Sequence, residues 1–248
     1  MELWDAGIML VAGLAAGTVN ALAGGGSLIS FPTLVALGMP PVAANVTNSV
    51  AVCPGYMAAV AGSRADLAGQ GARMRGLLPT TVVGAGAGCA LLLLTPAGAF
   101  EVVVPFLVLT AAGALAVQDR LRRLVVRRQE QGPVALHLLV GLGALYGGYF
   151  GAALGVLLVA GLALALDETL ARVSAAKNAI SAVVGLVTAV AFGVFGPVDW
   201  AAAGVLASSA LVGGYAGARL LRRLPAAVLR WLIVGFGVTV GLILLARL

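Results

Sequence analysis

The sequence predicts an all-α polytopic membrane protein made of two inverted structural repeats, each with a glycine-broken helix and a short re-entrant arm. Three observations lead there. Hydrophobic residues make up 61% of the 248-residue chain, charged residues only 10%, and mean hydropathy is +1.09, more than the core of a soluble domain this size requires. The apolar runs fall into two lengths, most able to cross a bilayer and two too short. The order of long and short runs then occurs twice.

Taken in order, the apolar segments are Ala6–Leu22, Ser27–Leu37, Pro41–Ala61, Gly76–Leu94, Phe100–Val117, Val134–Ala153, Leu154–Leu166, Thr169–Phe195, Trp200–Ala218 and Ala226–Leu245. At about 1.5 Å per helical residue, Ser27–Leu37 reaches roughly 16 Å and Leu154–Leu166 roughly 20 Å, against a hydrocarbon core of about 30 Å. Both read as re-entrant arms. The first segment starts beside Glu2 and Asp5 with no basic residue, so it reads as a retained helix, not a secretory signal. Pro54 and Pro105 fall inside helices and are expected to kink them, whereas Pro225 opens the last one, where a missing N–H costs nothing. Trp4, Trp200 and Trp231 stand near segment ends, as interfacial anchors do. Cys53 and Cys89 lie in apolar runs without ligand spacing and read as packing residues.

Arginines set the expected orientation. Arg64, Arg73 and Arg75 share one link, Arg120, Arg122, Arg123, Arg127 and Arg128 the central one, and Arg219, Arg222 and Arg223 the last. Links of this kind face the cytoplasm. The net charge of +6 is therefore accounted for by membrane orientation and not by nucleic-acid binding. Links near Glu101 and Asp199 carry no basic residue and face outside, which places both termini outside, with Arg247 the one residue against it. The organisation expected is a first transmembrane repeat at 1–118, a basic cytoplasmic linker at 119–133 and a second repeat at 134–248.

A shift of 130 residues matches Gly17 to Gly147, Gly25 to Gly155, Leu28 to Leu158, Leu34 to Leu164 and Asn48 to Asn178. The halves share the order of helix, short arm, polar-bearing helix and two further helices, and the arginine pattern has them start on opposite sides. Paired interrupted segments in inverted halves mark a midplane binding site.

Residues 20–49 carry the break. Gly24, Gly25 and Gly26 let the backbone turn and leave amides at the start of a short helix, where the dipole also favours negative charge. Asn20, Ser27, Thr47 and Asn48 add polar groups. The second half offers Gly151 and Gly155 with Ser174, Lys177 and Asn178. Lys177 is the chain's only lysine, about 12 Å into its helix, a costly place for a charge and a common marker of an ion path. Ser174, Lys177 and Asn178 lie three and four residues apart and share a helix face. These twelve residues are the expected substrate-binding set, and the occupant is a small anion. For Lys177 the competing reading is snorkelling, and for the two asparagines interhelical hydrogen bonding.

His137, the only histidine, sits near a membrane edge and reads as structural or solvated. Asp167 and Glu168 precede Thr169 at a helix start and read as capping groups. No acid lies deep in an apolar segment, so the coupling ion stays open. Catalytic and metal motifs, a nucleotide-binding loop and cofactor signatures are all missing from the sequence, which points away from an enzyme.

The run Asn20-Ala-Leu-Ala-Gly-Gly-Gly-Ser27, followed by Phe31-Pro32, Pro41-Val-Ala-Ala-Asn-Val-Thr-Asn-Ser49 and Pro54-Gly55-Tyr56 with a later Arg64, resembles the sulfite exporter TauE/SafE family of bacterial permeases. In the second half Gly147, Gly151 and Gly155 stand for the family's second glycine-rich stretch, without a second glycine triplet or its following proline. The resemblance implies a duplicated multi-pass permease of the inner membrane that moves anions of sulfur metabolism, such as sulfite or organosulfonates, usually outward. The expectation is a secondary transporter whose partners are a small anion and the lipid bilayer. An uncoupled anion channel and a non-transporting membrane subunit stay open as alternatives, as does a homo-oligomer.

Overall fold

The computed structural model describes residues 3–124, 132–220 and 226–246, without the side chains of residues 3, 21–23, 119–124, 215–220 and 226–229. Arg127, Arg128, Arg222, Arg223, Pro225 and Arg247, on which part of the expected orientation rests, lie outside the described residues. Among the described residues the fold is entirely helical: α1 Leu3–Ala23, α2 Ser27–Ala36, α3 Pro41–Gly62, α4 Arg64–Leu67, α5 Gly71–Leu94, α6 Ala97–Leu124, α7 Pro133–Tyr149, α8 Leu154–Ala165, α9 Leu170–Phe195, α10 Trp200–Leu220 and α11 Ala226–Ala246. Gly71–Leu94, Ala97–Gln118 and Leu170–Phe195 are each long and apolar enough to cross a membrane. The 10 residues of α2 and the 12 of α8 rise only about 15 and 18 Å and cannot cross by themselves.

Several boundaries differ from those expected. Helix α4 fills a link read as irregular, and α5 begins at Gly71 rather than Gly76. Helix α6 runs on to Leu124, into the stretch expected to be linker. Helix α7 stops at Tyr149 rather than Ala153, because Gly151 at φ 74° and Ala153 at φ 57° break the chain. The matching left-handed residue of the first half is Gly24, also at φ 74°. The breaks are thus 127 residues apart (151 − 24), so the single shift of 130 does not align them. The two extra residues of α8 relative to α2 restore most of the difference before Asn48 and Asn178.

The two halves of the chain interlock. Helix α1 packs along α10, and α5 along α7; α3 crosses α9, and α6 lies against α11. Exchanging α1, α2, α3, α5 and α6 for α7, α8, α9, α10 and α11 maps these pairs onto one another, along with α3·α10 onto α9·α5 and α2·α11 onto α8·α6. Small residues make the two long contacts possible. A Cβ on Gly17 would run into the Ala210 carbonyl, and one on Gly148 into that of Ala85. Thr18 Oγ1 adds a hydrogen bond of 2.8 Å to the Gly213 carbonyl.

Phe31, Phe100 and Phe150 fill the core at one end of the bundle, with Phe31 and Phe150 edge to face at a centroid distance of 5.2 Å. Tyr149 and Tyr146 extend the cluster. Trp4, Trp200 and Trp231 are largely exposed, and Cys53 and Cys89 are buried free thiols. His137 Nδ1 pairs with Thr80 Oγ1 at 2.7 Å between α7 and α5.

Candidate functional site

A cavity of about 770 Å³ opens between the halves at the end opposite the aromatic cluster. That volume falls within the roughly 300–1,000 Å³ of small-molecule sites. Its wall comes from the C-terminal part of α1, the C-terminal two thirds of α3, Gln118 on α6, the start of α8, the N-terminal third of α9 and the middle of α10. It is deepest at the breaks and reaches the exposed end of α3 at Gly62 and Ser63. Glycine and alanine dominate the lining, so the space exists because side chains are missing from it.

The two breaks touch at its inner end. A Cβ on Gly24 would stand 3.2 Å from the Gly155 α-carbon; a Cβ on Gly155 would stand 3.2 Å from the Gly24 α-carbon and 3.6 Å from Lys177 Cδ. Helix α2 starts with tight turns, the amides of Leu28 and Ile29 donating to the carbonyls of Gly25 and Gly26 at 3.0 and 2.9 Å. Helix geometry leaves the amides of Gly26 and Ser27 outside its ladder.

Eight of the twelve expected residues line the cavity: Asn20, Gly24, Gly26, Asn48, Gly155, Ser174, Lys177 and Asn178. Lys177 is the only charged side chain among its described lining residues. Its Nζ donates to Asn178 Oδ1 at 2.6 Å, and Asn178 Nδ2 donates to Ser63 Oγ at 3.2 Å, linking α9 to α3 across the halves. Asn48 Oδ1 accepts from Ser30 Oγ at 2.5 Å, tying α3 to α2.

The other four lie elsewhere. Gly25 packs under Leu115. Thr47 is fully buried, and its hydroxyl accepts from the Asp199 amide at 3.0 Å, because it points a third of a turn away from Asn48. Ser27 and Gly151 line a separate, much smaller pocket that shares Asn48 and Tyr56 with the cavity. The capping reading of Glu168 also gives way: Thr169 caps α9, its Oγ1 accepting from the Arg172 amide at 3.4 Å. Glu168 instead accepts from Arg73 Nη1 at 3.0 Å and Arg172 Nε at 2.6 Å. Those hydrogen bonds, Arg172's foremost, hold its carboxyl below the ordinary 4.5.

Sequence reasoning missed Gln118, Ser63 and Ser30 and used Tyr56 only as part of a motif; all four line the cavity. Gln118 is buried at 6% exposure with Oε1 lacking any partner. A glutamine at the end of an otherwise apolar run was its available signal. A native structure seldom leaves a buried acceptor empty without a use for it.

The family model for the TauE/SafE sulfite exporters matches residues 9–244. The chain belongs to that family. Its members are membrane transporters and not enzymes, and this TauE/SafE protein is a membrane transporter. It is similar to the probable membrane transporter protein YfcA of Escherichia coli, 28% identical over 223 residues, which cover 88% of this chain and 80% of the relative. A probable membrane transporter protein of Haemophilus influenzae is 26% identical over 232 residues, 92% of this chain and 89% of that one. No solved structure matches.

Proposed function

We propose that this TauE/SafE transporter is a secondary carrier of small sulfur oxyanions, sulfite or organosulfonates, exporting them across the inner membrane by rocking two inverted repeats about the Gly24–Gly155 contact. The observation that carries this reading is the position of Lys177. A single cation stands where two broken helices meet, with Asn178, Asn48 and break amides near enough to replace an anion's water shell. The matching set of helix pairs under exchange of the halves supports the repeat, and the short α2 and α8 support re-entrant arms. In this reading the basic links face the cytoplasm and both termini lie outside.

Closure at the aromatic end favours a carrier with alternating access over an uncoupled channel, which needs a path open at both ends. The orientation makes the state one that opens to the cytoplasm, where an exporter loads. The test is sulfite flux into liposomes holding purified protein, with a small sulfonate and a neutral solute as competitors. Saturable flux blocked by the sulfonate alone, with KM raised at least tenfold in Lys177→Met and less in Lys177→Arg, is expected. Unchanged KM in a folded Lys177→Met protein sinks the role of Lys177; no flux under any imposed gradient sinks the cargo.

A further inference from the structure

The small pocket beside the cavity is about 10 Å³, close to the space one water-sized sphere occupies. What surrounds it is a set of oxygens with their protons already committed. Ser49 Oγ donates to the Asn45 carbonyl at 2.8 Å, and Thr188 Oγ1 to the Gly185 carbonyl at 3.0 Å. Toward the pocket both hydroxyls offer lone pairs only.

Helix α7 ends at the same place. Its last carbonyls have no partner in the helix and carry the negative end of its dipole. The Tyr146 carbonyl takes the amides of Phe150 and Gly151, and that of Tyr149 takes Asn45 Nδ2. Gly147 lines the pocket, with its carbonyl oxygen 3.0 Å from where a Cβ on Gly151 would stand. Ser27 completes the polar wall, and no acid or histidine is among the described lining residues.

We infer that this pocket binds one monovalent cation, with sodium as the ion of fitting size. Hard cations take oxygen ligands, and divalent ones in proteins draw on carboxylates that this wall lacks. Carbonyls at the end of an interrupted helix are the donors that supply such sites in membrane carriers. The ion and the transported anion meet through Asn48, which lines both spaces and whose Oδ1 is fixed by Ser30. Any coupling is reciprocal, so each raises the affinity for the other by the same factor. The ion site does not depend on which anion is carried.

The experiment is thermal unfolding of the purified full chain in detergent, titrated with sodium chloride against choline chloride and potassium chloride at constant ionic strength, with no anionic substrate present. Expected is a saturable rise in Tm with sodium, a much smaller one with potassium and none with choline. Thr188→Val should raise the sodium midpoint at least tenfold, Ser49→Ala should raise it several-fold, and Thr188→Ser should leave it near the parent's. Thr239→Val, on the exposed face of α11, should not move it. Sodium and choline curves that coincide mean a pocket holding water alone and overturn the inference. So does a parent-like midpoint in Thr188→Val or, if that protein does not fold, in Ser49→Ala. Because sulfite is absent, failure of the cargo assignment leaves this result readable.

Discussion

Gly24 and Gly155 meet so closely at the centre of the bundle that neither has room for a methyl group without moving the other's backbone. One belongs to the break after α1 and the other to the first turn of α8, so the contact joins the two halves where each chain trace is interrupted. Lys177 Cδ lies beside the same spot. The distance from break to charge is therefore fixed by backbone packing and not by flexible side chains.

The three adjoining glycines should respond differently to alanine. Gly24 sits at φ 74°, where a side chain costs about 1–2 kcal/mol, and a Cβ there also meets Gly155. Gly26 has ordinary dihedrals, but its Cβ would strike the Ala16 carbonyl of α1. Gly25 would place a Cβ 3.4 Å from a Leu115 methyl, which can give way. Gly24→Ala and Gly26→Ala should each lower the unfolding temperature and cut flux at least tenfold, while Gly25→Ala stays within twofold of the parent. Unfolding scans and liposome flux on the three variants check the order.

The fold class was legible because apolar composition and run length are read directly from sequence, as the all-helical bundle bears out. The site was half legible. Lys177 and Asn178 stand out as polar residues in apolar helices, and both line the cavity. Thr47 stands out equally and lies elsewhere, because adjacent helical residues point in different directions and only packing decides which one meets the space. The small pocket had no signal, since it is made of carbonyls and of hydroxyls that sequence alone reads as ordinary helix neighbours. Glu168 misled because an acid before a helix suits capping, whereas its two arginine partners come from α5 and from the next turn of α9.

That ion cluster gives a pH prediction. Arg172 and Arg73 lower the Glu168 carboxyl, so its stabilising charge is fully present above 4.5 and is lost as pH falls through the lowered value. The pair side chains are partly exposed, which limits the effect to about 1 kcal/mol. Glu168→Gln should be slightly less stable than the parent at neutral pH, with the difference closing below pH 4.5. Unfolding of both proteins across that range tests it; a difference that widens in acid contradicts the assignment.

Phe150 supplies a test of the closed end. It contacts Phe31, Phe100 and Tyr146 and is 2% exposed, so Phe150→Ala should cost about 3–5 kcal/mol and open a void next to the cavity. In a background with Cys53 and Cys89 replaced, Ser30→Cys should react with a membrane-impermeant thiol reagent from one side only. Adding Phe150→Ala should admit the reagent from the other side as well. One-sided labelling in a folded double variant would show that the barrier lies elsewhere.

Gln118 is the residue whose chemistry most constrains the substrate. Its Oε1 is a buried acceptor with no partner on the wall of the cavity, and an empty acceptor of this kind costs about 1–3 kcal/mol. A ligand that fills it must present a donor, so an anion with a hydroxyl beyond its charged head suits the space better than one without. The parent should therefore bind 2-hydroxyethanesulfonate more tightly than ethanesulfonate, by about fivefold to tenfold for one hydrogen bond. Gln118→Met keeps the volume and removes the acceptor. It should erase that preference by weakening the hydroxy compound alone, leaving ethanesulfonate within twofold. Competition against sulfite flux measures both affinities in each protein. A preference that survives in Gln118→Met assigns the donor to another group, and equal affinities in the parent leave Gln118 without a part in recognition.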